Sequence, residues 1–332
     1  MGLPPNIFPL KQKRIYKMKS ILFAVPFLNE AENLKKFPER IREIRQSIQA
    51  RCLFLFIDDG STDESLEIVK SWKEKDISLI SFSKNYGSHI ALFAAIEHAD
   101  TDYFTFMSSD MQEPVSLYSD LFLTAEKSRS EIVLAEREVR ETDRSNRLFS
   151  KIYNALVKKL AFPDYPPNGV DIVFLNRTVI DAMKTVQEKN TSFYGVLFTL
   201  GFKKKFVPYK QLPRKIGKSK WTLRKKIKLL ADTFISFTVF PLRLLTYSGI
   251  LIFTGGASYG LFLIINTLVN GVAAPGWATI VIFLSMGFGL NFLFLGIISE
   301  YLWRMFDQIR DRPRYVIREK IGFKSTTNKK TN

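Results

Sequence analysis

Cysteine, histidine and negative charge are all scarce in this chain. A single cysteine among 332 residues, Cys52, excludes an internal disulfide and any cysteine-built zinc site. Two histidines, His89 and His98, argue against a histidine-rich metal centre. Acidic residues number 32 against 49 lysines and arginines, a formal net charge of +17. No Gly-x-Gly-x-x-Gly follows the first apolar run, and no glycine-rich loop there ends in Gly-Lys-Ser/Thr. A dinucleotide-dependent dehydrogenase and a P-loop NTPase are therefore poor readings. Residues 1–18 carry prolines and basic residues but no apolar run, so they read as a loose arm and not as a signal peptide. The largest gap is in charge: the 56 residues from Leu244 to Ser299 hold no Asp, Glu, Lys or Arg.

That uncharged stretch is too long for one core helix. It is interrupted by Asn-Gly-Val-Ala-Ala-Pro-Gly at 270–276. The flanking runs, 245–269 and 277–298, match the ~20 apolar residues that span a bilayer. The reading is two membrane helices joined by a short loop, with a hydrophobic hairpin inside a soluble protein as the alternative. Trp277 suits an interface, and Asn266, Asn291 and the glycines suit close helix contact. Twelve cations and no anion lie in 203–230, and nine cations against four anions follow Ser299. The rest of the chain is neutral. The basic excess thus flanks the apolar pair, while its loop is uncharged. The positive-inside rule places both termini in the cytoplasm and 271–276 on the other side. Anionic lipid, not nucleic acid, is the partner this distribution fits. In 222–240, Leu223, Ile227, Leu230, Phe234 and Phe237 form one helical stripe, with Arg224, Lys225, Lys226 and Lys228 off it. This predicts a basic amphipathic helix in the headgroup plane, or else a helix packed on the soluble domain, ended by Pro241.

Before residue 222, short apolar runs alternate with helical patterns. Strands are expected over 20–26, 53–57, 77–82 and 103–107, and helices over 30–50, 64–75 and 87–98. Alternation with near-continuous apolar strands indicates an α/β fold, Rossmann-like with a mostly parallel sheet covered on both faces. Such sheets bind ligands at the carboxyl ends of their strands. Those ends carry Asn29-Glu30, Asp58-Asp59 and Ser108-Ser109-Asp110. One such Asp would pass for a helix cap, but three converging polar clusters suggest a site. Asp110 with Gln112 and Glu113 suggests a shallow oxygen-ligand site for Mg²⁺ or Mn²⁺, completed by substrate phosphate and water.

The motifs Val25-Pro26-Phe27-Leu28-Asn29-Glu30, Ile57-Asp58-Asp59-Gly60-Ser61-Thr62-Asp63, Ser83-Lys84-Asn85-Tyr86-Gly87 and Ser109-Asp110-Met111-Gln112-Glu113-Pro114 occur in that order. They are followed by Arg214-Lys215-Ile216-Gly217-Lys218-Ser219-Lys220-Trp221 and by Pro241-Leu242-Arg243 before the apolar pair. This set resembles the family 2 glycosyltransferases, in the branch acting on polyisoprenyl phosphates (dolichol-phosphate-mannose-synthase-like, including bactoprenol glucosyltransferases of O-antigen modification). The resemblance implies a GT-A catalytic domain over 19–221, an interfacial helix over 222–243, a transmembrane hairpin over 244–299 and a basic cytoplasmic tail over 300–332. It implies a nucleotide-sugar donor, a divalent metal (Mg²⁺ or Mn²⁺) and a polyprenyl-phosphate acceptor at the cytoplasmic membrane. Carried over by position, Pro26, Asn29, Glu30, Asp58 and Asp59 hold the nucleotide, with Ser108 and Ser109 beside it. Asp110 and Gln112 belong to the metal shell. Arg137, Arg147, Arg214, Ser219 and Lys220 face phosphates, and Asp171 lies by the sugar. Ser108 stands where the family has the first Asp of Asp-x-Asp, and Val170 splits its Gly-Asp pair.

A phosphate monoester with a second pKa of about 6 is largely dianionic at neutral pH. It needs no strong base to attack an anomeric carbon, which suits a site with no catalytic triad. The implied reaction is inverting transfer from a UDP-glucose-type donor to undecaprenyl phosphate. A processive polysaccharide synthase is the nearest rival, but none of the four tryptophans follows an arginine, as a Gln-x-x-Arg-Trp signature requires. A non-catalytic membrane scaffold is the other, motivated by Ser108. The sugar, the base, the lipid length and the oligomeric state stay open, and a homo-oligomer is compatible.

Overall fold

The computed structural model describes residues 18–138, 154–159, 161–166, 169–189, 191–212, 240–270, 276–310 and 312–323. The 1–18 arm, apart from its last residue, and the 222–240 helix, apart from its last residue, lie outside these residues. So do Arg147, Arg214, Ser219, Lys220 and the 271–275 loop.

Eight strands form one sheet in the order β7-β5-β6-β4-β1-β2-β3-β8. They are β1 Ser20–Phe27, β2 Arg51–Asp58, β3 Ile77–Phe82, β4 Tyr103–Phe106, β5 Ile132–Arg137, β6 Val173–Asn176, β7 Lys204–Tyr209 and β8 Ile317–Ile321. The four strands expected from sequence are β1 to β4. β1 pairs in parallel with both β2 and β4, and β2 with β3. β6 and β8 run against their neighbours, so the sheet is mostly parallel. Flanked on both sides, β1 is buried at every position from Ile21 to Val25, which explains its unbroken apolar run. Phe23 stacks on Phe54 with ring centroids 5.1 Å apart, and Tyr118, from the helix that follows β4, meets Phe23 edge-on at 5.6 Å.

The helix expected over 30–50 is two helices, α1 Ala31–Leu34 and α2 Phe37–Ser47. Pro38 is the cause: it has no N–H for an interior helical bond, and it sits in the first turn of α2. Next come α3 Ser65–Lys70, α4 Ser88–Glu97 and α5 Val115–Ser128. α4 is buried continuously from Ala91 to Ile96, because it lies between the sheet and two further helices, α6 Arg177–Lys184 and α7 Phe193–Thr199.

Two long helices follow, α8 Phe240–Asn270 and α9 Trp277–Ile309. Pro241 lies at the start of α8, where a missing N–H is tolerated. Among the described residues, one helical stretch, Leu242–Phe262, is long and apolar enough to cross a membrane. Its large side chains are bare: Leu251 is 72% exposed.

The tail departs from expectation. It is not a separate extension, because β8 completes the sheet against β3. Ser83 donates its backbone N–H to Val316 at 3.0 Å, and Tyr315 packs on Phe82 at 4.9 Å. The end of α9 is tied down as well. Lys189 Nζ donates to the Asp307 and Gln308 carbonyls at 3.3 and 3.2 Å, and Arg314 stacks over Phe93 at 4.7 Å.

The turn after β2 closes on the turn after β3. Gly60 has φ +76°, and a Cβ there would stand 2.6 Å from the Lys84 carbonyl carbon. No side chain fits against that backbone, and a non-glycine residue pays about 1–2 kcal/mol for left-handed geometry alone. Gly60→Ala should therefore destabilise the fold by about 2 kcal/mol or more, measured as a lowered unfolding midpoint against wild type.

Candidate active site

β1, β2, β3, β4, β5 and β7 all run the same way, so their carboxyl ends share one sheet edge with the starts of β6 and β8. From β1 the chain proceeds outward through β2 and β3, then returns to place β4 on the opposite side. The crevice between β1 and β4 is the topological switch point at which such sheets bind ligands. Pro26 helps open it. The last β1–β4 partners are Ala24 and Phe106, and Ala24 O accepts from Met107 N at 2.9 Å. Backbone direction alternates along a strand, so the N–H that Pro26 lacks would point to the β4 side, where the ladder has ended.

On the β1–β2 side, two loops brace each other. Asn29, in left-handed geometry at φ 51°, accepts from Thr62 N on Oδ1 at 2.8 Å and donates its own N–H to Ser61 Oγ at 3.0 Å. Glu30 N donates to Ser65 Oγ at 2.9 Å, and Glu30 Oε2 accepts from Asn33 at 2.7 Å. The acidic pair is buried and organises its surroundings. Asp58 accepts from Ser61 N at 2.8 Å and from Ser81 Oγ at 2.7 Å. Asp59 accepts from Tyr86 N at 2.7 Å and Gly87 N at 2.9 Å, tying the Ser83–Gly87 motif to β2. Burial pushes the Asp59 carboxyl up to about 6, against the pull of those two N–H groups.

After β4 comes the loop of Ser108, Ser109 and Asp110, all half-buried. Ser108 Oγ lies 2.7 Å from Asp110 Oδ1 and 2.6 and 2.8 Å from the two oxygens of Glu113. Glu113 faces inward and is buried, and burial, reinforced by Asp110, raises its carboxyl to about 7 despite Ser108. Glu113 is thus no outward ligand of the kind its place beside Gln112 suggested. Gln112 is held by the chain leaving β7: Gln211 Nε2 donates to its Oε1 at 3.0 Å, and Leu212 N donates to its carbonyl at 2.8 Å.

Arg137, at the end of β5, is ion-paired with Asp171, which also accepts from Tyr209 Oη at 2.9 Å. Burial opposes the Arg137 charge, but Asp171 and Tyr209 together outweigh it and the guanidinium pKa is raised. Sequence position suggested a free phosphate cation at Arg137 and a separate sugar residue at Asp171. The structure joins them as one pair. Tyr194 Oη, donating to the Asp171 carbonyl at 2.5 Å, and Tyr209 are partners that spacing did not reveal. A β-strand ending in tyrosine was the available signal. Cys52 is buried, its thiol pushed up to about 11 by burial, and stands apart from this edge.

The Asp59 value has a consequence for stability. In the unfolded chain an aspartate titrates near 3.9. Between about pH 4 and 6 the folded state keeps a proton that the unfolded state has lost, so stability from this group falls as pH rises through that window. Asp59→Asn keeps an acceptor oxygen for Tyr86 and Gly87 without the charge. Wild type should lose stability relative to Asp59→Asn from pH 4 to 6, and thermal unfolding of both proteins across that range measures it.

Comparison with known proteins agrees with this architecture. A profile described as glycosyl transferase family 2 matches residues 23–167. A Bacillus subtilis (strain 168) protein named uncharacterized glycosyltransferase YkcC is 30% identical over 308 residues, covering 91% of this chain and 94% of its own. The SfII prophage-derived bactoprenol glucosyl transferase of Shigella flexneri is 30% identical over 302 residues, 90% of this chain and 97% of its own. Among solved structures, the mannosyltransferase PcManGT from Pyrobaculum calidifontis, in complex with GDP-Man and Mn²⁺, aligns with a TM-score of 0.46 at 13% identity over 90% of this chain and 89% of its own.

Proposed function

The chain belongs to glycosyl transferase family 2, and on that premise we propose that this glycosyltransferase moves a sugar from a nucleotide-sugar donor to a polyprenyl phosphate at the cytoplasmic face of a membrane. The observation that carries the reading is where the long helices attach. The chain departs for α8 from Leu212, bonded to Gln112, and returns from α9 at Tyr315–Ile317, beside Phe82. Both attachments are on the sheet edge that holds the acidic clusters. An acceptor whose phosphate emerges from a bilayer between those attachments meets a donor bound at that edge. Relatives named bactoprenol glucosyl transferases favour a glucosyl donor and a bactoprenol-type phosphate, and the motif resemblance implies that the donor is of the UDP type and the acceptor undecaprenyl phosphate.

Two crossings suit this arrangement. β7 and β8 belong to one sheet, so any membrane between them is crossed an even number of times. With Leu242–Phe262 as one span, the uncharged part of α9 is the return. The basic flanks put the sheet, the tail and both termini on the cytoplasmic side.

The residues present fit a divalent cation of one kind. Asp110 offers a half-exposed carboxylate, Gln112 Oε1 is engaged by Gln211, and no group of three His, Cys, Asp or Glu suited to a metal exists among the described residues. This suits Mg²⁺ or Mn²⁺ held chiefly by diphosphate and water, with Asp110 as its protein ligand. When bound, such an ion neutralises charge growing on the leaving diphosphate. The chain's own residues do the rest. Asn29, Glu30, Asp58 and Asp59 shape the nucleotide end, with Pro26 opening the crevice and Ser109 at its lip. Arg137 and Asp171 act as a pair on the sugar side. The lipid phosphate, already an anionic nucleophile, attacks the anomeric carbon with inversion. Arg147, Arg214, Ser219 and Lys220 offset the repulsion between the two phosphate groups.

Two experiments test this. Purified protein incubated with a panel of nucleotide sugars, undecaprenyl phosphate and Mg²⁺ or Mn²⁺ should give a polyprenyl-phosphate sugar, identified by mass. In the same assay, Arg214→Ala with Lys220→Ala should lower product formation by about a hundredfold or more, with calorimetric nucleotide affinity changed only modestly. Collapsed nucleotide affinity with normal turnover at saturating donor would move these cations to the donor site. For topology, Ala274→Cys in a Cys52→Ala background should react with an impermeant thiol reagent added outside intact cells, whereas reaction only after permeabilisation would reverse the orientation.

A further inference from the structure

Ser108 occupies the position at which a second carboxylate would serve a divalent cation, yet its hydroxyl is not idle. A hydroxyl has one proton to donate, and three carboxylate oxygens stand around this one: Asp110 Oδ1 at 2.7 Å and the two Glu113 oxygens at 2.6 and 2.8 Å. Among the described residues, Ser108 is the only side chain hydrogen-bonded to the Glu113 carboxyl. Glu113 is itself firmly seated. Its side chain is buried, and Arg40 on α2 donates to its backbone carbonyl. Tyr118, on α5 and in the electrostatic field of Glu113, is fully buried, and its hydroxyl has no hydrogen-bond partner among the described residues.

We propose that Glu113 is the positioning residue for Asp110, acting through Ser108, so that the buried Glu113 and the serine together hold the one outward carboxylate in the orientation that receives a metal–diphosphate. Glu113 touches neither substrate nor cation. It anchors the hydroxyl from below, and the hydroxyl limits the rotation of Asp110 above it. The serine is thus matched to the glutamate. A carboxylate at position 108 has no hydroxyl proton to give either neighbour, so the hydrogen bond that now closes this gap would be lost and three carboxyl groups would crowd one another. Restoring Asp-x-Asp by Ser108→Asp should consequently harm this protein, unlike one whose loop evolved around two carboxylates. The inference rests on the nucleotide-sugar reading above.

The test measures calorimetric affinity for UDP and GDP, each with Mn²⁺ and with EDTA, and thermal stability of the same samples. Glu113→Ala should weaken the Mn²⁺-dependent part of nucleotide affinity by about tenfold, the scale of one hydrogen bond to a charged group, and leave the affinity in EDTA unchanged. Glu113→Gln should behave as wild type, because an amide can donate to Ser108 Oγ while Ser108 donates to Asp110. Ser108→Asp should lose Mn²⁺-dependent affinity, and Ser108→Asp with Glu113→Gln should regain it, since the amide can donate to the introduced carboxylate. Folded Glu113→Ala with wild-type Mn²⁺ dependence overturns the inference, as does Ser108→Asp binding as well as wild type. If Glu113→Ala does not fold, the two Ser108→Asp proteins decide alone. A wild type that binds neither nucleotide with Mn²⁺ overturns the nucleotide-sugar reading as well, whereas a binding wild type with indifferent variants overturns the Glu113 role only.

Discussion

The site depends on one backbone arrangement: β1 is hydrogen-bonded in parallel to β2 on one side and to β4 on the other. Three parallel strands with unequal ends cannot close against each other at their carboxyl edge. β1 continues to Phe27 opposite Asp58, whereas β4 stops at Phe106 opposite Ala24. The three loops that follow are therefore delivered to one crevice at different heights, with their backbone groups no longer used by the ladder. Asn29, Asp58 and Asp59 fill that need on the β2 side by accepting N–H groups from neighbouring loops. The same carboxylates that look like ligand residues in the sequence are thus also what holds the crevice open in a fixed shape. Buried acceptors satisfied by backbone donors stay where they are put.

A second constraint acts on the periphery. The chain between β7 and β8 leaves and re-enters the sheet at the same edge, and each junction is bonded to a loop of the site. Leu212 is tied to Gln112, and Tyr315 and Val316 to Phe82 and Ser83, one turn from the Tyr86 and Gly87 groups that hold Asp59. Both ends of the segment that carries the long helices are thus fixed to the sheet edge that holds the acidic clusters.

Electrostatics divides along the same line. The described part of the site is rich in carboxylates, and its one well-placed guanidinium, Arg137, is already matched by Asp171. On the reading proposed above the acceptor is an anion, and the cations that would meet it are the run that begins with Arg214, far from Arg137 in sequence.

The sequence by itself determined the strand–helix alternation, the four central strands, the three acidic clusters at their ends and the long uncharged stretch, because each is written in local periodicity and composition. Pro38 stands in the sequence too, but Leu34, Phe37, Ile41, Ile44 and Ile48 keep helical spacing across it, so α1 and α2 read as one helix. Only the tertiary structure decided which distant groups meet. Arg137 and Asp171 are 34 positions apart, and their pairing follows from β5 and β6 running in opposite directions. Glu113 looked like an outward neighbour of Gln112, and turns inward because α5 begins two residues later and buries it beside Tyr118. The tail looked like a basic extension, since a five-residue strand with alternating charges carries little apolar signal. It belongs to the sheet because β3 presents an unpaired edge, and hydrogen-bonding capacity at a strand edge is a property of the assembled fold, not of either segment alone.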